Sequence, residues 1–148
     1  MLNRDNLLHI INDLINPDFG NKQVIMGNGY DAIIDILQNV RTVEYPAFIL
    51  ECRVSGYFHV VEGAVDFHSQ SIWIMGVLER DEDEAALYEA MFQLAKKVIS
   101  RLLKHRNDDC LSGWQPNRIS YMKRYGGPNS RGWELILNFN EDISLIDG

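Results

Sequence analysis

From Glu84 to Arg106 the chain repeats apolar residues at three- and four-residue spacing: Leu87, Tyr88, Met91, Leu94, Ala95, Val98, Ile99 and Leu102. That period belongs to an amphipathic helix with one broad stripe turned to a core. Asp81, Glu82, Asp83 and Glu84 stand at its start, and Lys96, Lys97, Arg101, Lys104, His105 and Arg106 crowd its end. Both groups match the helix macrodipole, positive at the N-terminus and negative at the C-terminus. A pair of strand-like segments lies on either side of it, so the helix constrains the architecture more than any other feature.

Pro46 introduces the first long strand, Ala47 to Val60, in which Phe48, Leu50, Cys52 and Val54 alternate with Ala47, Ile49, Glu51 and Arg53. The alternation predicts one face on a core. Residues 67–80 read as its partner, with Ile72, Ile74, Gly76 and Leu78 on one face and Trp73, Met75 and Val77 on the other. Both of those faces are apolar, so helices or a neighbouring subunit must cover them. A last hairpin runs from Arg118 to Tyr125, turns at Gly126-Gly127-Pro128-Asn129-Ser130, and returns through Trp133, Leu135, Leu137 and Phe139. At the start, Leu7, Leu8, Ile11, Leu14 and Ile15 predict a helix over 4–16, stopped at Asn16-Pro17-Asp18-Phe19-Gly20. Between them, Gln23–Met26 is a short apolar segment and 32–39 a short helix. The order predicts an α+β fold: a mainly antiparallel sheet of about four strands, with helices packed on one face.

A chain of 148 residues fits one domain that buries roughly 68–70% of its unfolded surface. Cys52 and Cys110 are far apart and in no ligand spacing, which points to neither a disulfide framework nor a zinc site and suits a reducing compartment. Residues 1–5 lack the pattern of a signal peptide, and no stretch approaches the roughly 20 apolar residues of a membrane helix. These features predict a cytoplasmic protein, without membrane partners. The formal net charge of −7 argues against nonspecific duplex binding, which depends on Lys and Arg releasing counterions from phosphates.

Candidate chemistry is sparse. Val24-Ile25-Met26-Gly27-Asn28-Gly29 has the outline of a phosphate turn but lacks the third glycine and the following parallel strand, so a turn with Asn28 or Asp31 capping a helix is the better reading. His59 and His68 flank the loop after the first long strand and, facing each other beside Glu62 and Asp66, would offer two imidazoles and a carboxylate to a metal. Ordinary, partly exposed histidines are the plainer expectation. Cys52 falls on an apolar face, which predicts a raised thiol pKa and an inert side chain. Glu44, Glu51, Glu62, Asp66 and Glu79 supply carboxylates with nothing to pair them, and no nucleophile elbow, HExxH or P-loop occurs. No catalytic residue, metal ligand or cofactor is nominated. The interaction candidates are Lys123, Arg124, Tyr125, Asn129 and Arg131 around the last hairpin turn, with Trp73 as a strand aromatic.

The segments YPAFILE at 45–51, AALYEAMFQLAKKVISRLLKH at 85–105 and RGWELILNFNEDISL at 131–145, in this order of elements, resemble small tail-terminator and neck proteins of tailed phages and prophages. The resemblance implies an α/β sandwich that closes into a ring, usually a hexamer, which caps the tail tube and joins it to the head. It also implies no catalytic residues, partners among copies of itself and other virion proteins, and a location in the host cytoplasm or the virion. Apart from the resemblance, the residues also fit a small adaptor module that recognises another protein through a sheet edge or the last hairpin. An enzyme or metal-binding domain using His59 and His68 is the third reading.

Overall fold

A computed structural model describes residues 2–14, 24–38 and 44–143. Its elements are α1 (Arg4–Asn12), β1 (Val24–Met26), α2 (Tyr30–Gln38), β2 (Ala47–Val60), β3 (Ala64–Val77), α3 (Glu84–Lys104), β4 (Ser120–Tyr125) and β5 (Ser130–Asp142), with a 3₁₀ turn at Asp109–Leu111. The strands form one sheet in the order β1-β2-β3-β5-β4. Only β1 runs parallel to its neighbour; the other pairings are antiparallel.

Local chemistry accounts for the helix starts. Asp83 caps α3, its Oδ1 accepting from the Ala85 N–H at 3.0 Å, and Asn3 caps α1 by accepting from Asn6 N–H at 2.8 Å. The α3 stripe is the one its period predicts: Leu87, Ala95, Val98 and Leu102 are buried, and Met91, Leu94 and Ile99 are partly so. With Leu7, Ile10 and Ile11 of α1, this stripe packs on Phe48, Leu50, Ile72, Ile74, Leu135, Leu137 and Phe139.

The sheet differs from the expected one in two respects. It has five strands and is mixed, because Val24–Met26 pairs with Phe48–Leu50 in parallel, which makes β2 the parallel strand expected to be missing after the Gly27–Gly29 turn; three residues are too few to show a period. Helices also lie on both faces. Ile33 and Leu37 of α2 pack against Ala47, Ile49, Trp73 and Met75, the side of the sheet opposite α3. The two apolar faces of β3 are therefore both covered from within the chain. Gly29, at φ +94°, makes the turn into α2, its N–H donating to Glu51 Oε1 at 2.8 Å and its carbonyl accepting from Ile33 N–H at 3.1 Å. Gly29 thus occupies the position just before α2, and Asp31, expected as a possible cap, sits inside the first turn. The turn expected at 16–20 lies outside the described residues.

Candidate interaction surface

Strand β2 changes character along its length, not from face to face. Ala47, Phe48, Ile49 and Leu50 are all buried, whereas every residue from Arg53 to Val60 is exposed. The expected half-buried strand is thus a fully buried half joined to an uncovered half. The join is a bulge: Glu51 pairs with Ser71 and Ser55 with Ser69, so Cys52, Arg53 and Val54 stand opposite Gln70 alone. Arg53 adopts φ +56° there, a conformation unusual for a non-glycine residue. Its guanidinium is swung to the α3 side of the sheet, away from Ala47, Ile49 and Glu51, whose face simple alternation would give it. There Nη1 donates to Asp66 Oδ2 at 2.5 Å and Nη2 reaches Glu141 Oε2 at 3.4 Å. One arginine thereby ties β2 to both β3 and β5 at the base of the uncovered half. The Asp66 hydrogen bond holds the Arg53 pKa above its ordinary value.

Beyond the bulge, β2, β3 and β5 continue as a three-stranded extension. Gly56 permits their close approach, since a Cβ there would lie 2.5 Å from the Phe67 carbonyl oxygen. Tyr57 stacks on Phe67 with ring centroids 5.0 Å apart, and His59 meets the same ring edge-on at 6.2 Å. Among the described residues no strand pairs with the outer edge of β2 past Leu50. Tyr57, Phe58, Val60 and Val61 are 63–72% exposed, the most exposed large apolar side chains of the described residues. Water-facing apolar residues grouped in this way on a strand edge mark an interaction surface more often than scattered ones do.

The register separates the two histidines considered as a metal pair. His59 stands opposite Val65 and His68 opposite Gly56, which places the imidazoles on opposite faces of the hairpin. His68 is buried, stacks on Phe139 at 5.6 Å, and lies 3.4 Å from Asp66 without hydrogen-bond geometry. Burial first, and the Arg53 charge second, hold its pKa below the usual histidine value. No group of three His, Cys, Asp or Glu side chains among the described residues is placed to share a metal ion. Burial pushes the Cys52 thiol up, as its strand position predicts.

The residues nominated at the last hairpin divide into two groups. Arg131 is buried: its Nε donates to Glu84 Oε1 at 2.7 Å, and Nη1 to the carbonyls of Gly127 and Ser130, so it pins the turn to the start of α3. Arg124 donates twice to Glu134 Oε1, at 2.8 and 2.5 Å, and lies 5.0 Å over the Trp73 ring; the other Glu134 oxygen accepts from the Ser71 hydroxyl. Trp73 itself is in the core beneath α2. Lys123, Tyr125 and Asn129 are exposed, Lys123 with its ammonium 4.7 Å over the Tyr88 ring and Tyr125 with Arg131 3.9 Å over its own. Sequence reasoning overlooked Tyr57, Phe58, Val60 and Val61; their signal was a run of apolar residues continuing to the hairpin turn with only one charged residue, Glu62.

The chain matches no protein-family model and no curated protein. No helix among the described residues is long and apolar enough to cross a membrane.

Proposed function

We propose that this is a noncatalytic assembly protein of the phage or prophage tail-terminator type, a homo-oligomer that joins copies of itself and other tail proteins. The observation that carries this reading is the sheet extension beyond the bulge, where Tyr57, Phe58, Val60 and Val61 are left in water by strands whose other halves, around Ala47–Leu50 and Ile72–Met75, are covered on both sides. A protein that acts alone gains nothing from such a surface and risks aggregation through it. The order of elements supports the tail-terminator comparison, and the net charge of −7 suits a passage through which nucleic acid slides without adhering.

Light scattering coupled to size exclusion tests the proposal across protein and salt concentrations. A mass several times 17.0 kDa that survives dilution is the expected result. A monomer at every concentration overturns self-association in favour of the adaptor reading, which the bare outer edge of β2 favours because it can accept a partner's strand.

A further inference from the structure

Two surfaces of this chain complement each other in polarity and charge. The first is the hairpin tip of the extension, with Phe58, Val60 and Val61 exposed and Glu62 as the only formally charged residue between Ser55 and Val65. The second is a concave groove of about 270 Å³ between α3 and β4. Phe92, Ile99, Ile119 and Tyr121 line it over Leu135, and Lys96 is the one charged residue in its lining. The groove is roomier than the ~150 Å³ apolar cavity that accepts a benzene ring.

The tip cannot fill the groove of its own molecule. Leu135 pairs with Ile72, eight residues along β3 from Ala64, which puts the groove roughly 26 Å from the tip at the rise of an extended strand. The groove also borders β4, at the sheet edge opposite β1 and β2. We infer that the hairpin tip of one copy seats in the α3–β4 groove of a second copy, with Phe58 and Val60 against the aromatic and aliphatic walls and Glu62 at Lys96. Charge selects this occupant. Between two copies of a chain with net charge −7 the average surface contact is repulsive, so the match of Glu62, the one formally charged residue from Ser55 to Val65, with Lys96, the one charged residue lining the groove, sets both position and orientation.

The inference rests on the self-association proposed above and specifies its contact. It is tested by solution mass against dilution for the wild type, for Phe58→Asp and Tyr121→Asp, and for Glu62→Lys, Lys96→Glu and the double charge reversal. Phe58 and Tyr121 are 68% and 58% exposed, so the far-UV circular dichroism of these variants stays that of the wild type. The expected result is loss of assembly in both Asp variants and about tenfold weaker assembly in each single charge reversal. Assembly should return in the double reversal, where position 62 of one copy carries the ammonium and position 96 of the next the carboxylate. Assembly that survives Phe58→Asp or Tyr121→Asp overturns this contact while leaving self-association standing. A double reversal no better than the singles overturns the Glu62–Lys96 pairing and with it the seating of the tip. A wild type that is monomeric throughout overturns both the contact and the reading beneath it.

Discussion

The two halves of the β2–β3 hairpin are made by the same pair of strands, yet they obey different rules. In the half that begins at Ala47, every side chain from Ala47 to Leu50 is buried because α1 and α3 cover one face and α2 the other. In the half beyond the bulge, residues of the same apolar kind face water. Alternation within a strand states what its two faces would accept; the packing of other elements decides which faces are filled. A strand read without its neighbours therefore reveals an appetite for burial, not its fulfilment, and the unfulfilled half is where the proposed contact falls.

That contrast can be broken most sharply at the covered end. Val98→Asp places an unpaired charge under α3 and is expected to cost more than about 4 kcal/mol, enough to abolish cooperative thermal unfolding. Retention of a melt close to the wild type's would mean that α3 does not seal the covered half. The next effect lies in the buried polar network on the α2 side. Glu134→Gln keeps the shape but removes the charge that Arg124 and Ser71 address, and a loss of about 1–3 kcal/mol is expected in urea denaturation. A shift below roughly 0.5 kcal/mol would show the network to be solvent-compensated.

At the boundary between the halves, His68 links stability to pH. Its folded-state pKa lies below the unfolded value, so between the two the unfolded chain binds more protons. Stability is therefore fully present above the unfolded value of about 6.5 and falls as pH drops below it. His68→Phe keeps a ring on Phe139 and should flatten this part of the profile of melting temperature against pH; an unchanged slope would assign it to other groups. The smallest effect is expected in the uncovered half, where Val60→Thr should change monomer stability by no more than about 0.5 kcal/mol, similar to Lys97→Glu on the outer face of α3. A large loss from Val60→Thr in a monomeric preparation would mean that the extension is already covered.

The elements legible in the sequence are those long enough to display a period: α3 over six turns, and β5 with Trp133, Leu135, Leu137 and Phe139 on one side. Strand β1 is not legible, because Val24–Met26 is defined by the edge it joins and not by its own three residues. The side chosen by α2 depends on the path of the chain around the sheet, which Ile33 and Leu37 do not encode by spacing. The turn cations mislead for a related reason. Arg124 and Arg131 stand beside a Gly/Pro turn, a usual setting for solvated charge, and their partners Glu134 and Glu84 are 10 and 47 residues away. Two-residue alternation also carries no warning of the bulge at Cys52–Val54, so it puts Arg53 on the wrong face and leaves the relation between His59 and His68 open.

The same bulge limits what the outer edge of β2 can become. On one side of it, Phe48–Leu50 already engages β1; on the other, Ser55–Val60 offers only six residues of regular backbone, roughly 20 Å. Arg53 interrupts the ladder at the break, half-exposed and held by Asp66 and Glu141. An incoming strand can zip along the short run but cannot propagate through the break into the rest of the sheet. Fibrils grow by long, uninterrupted, in-register stacking. A protein with a sticky edge of limited length can recruit a neighbour without seeding its own precipitation.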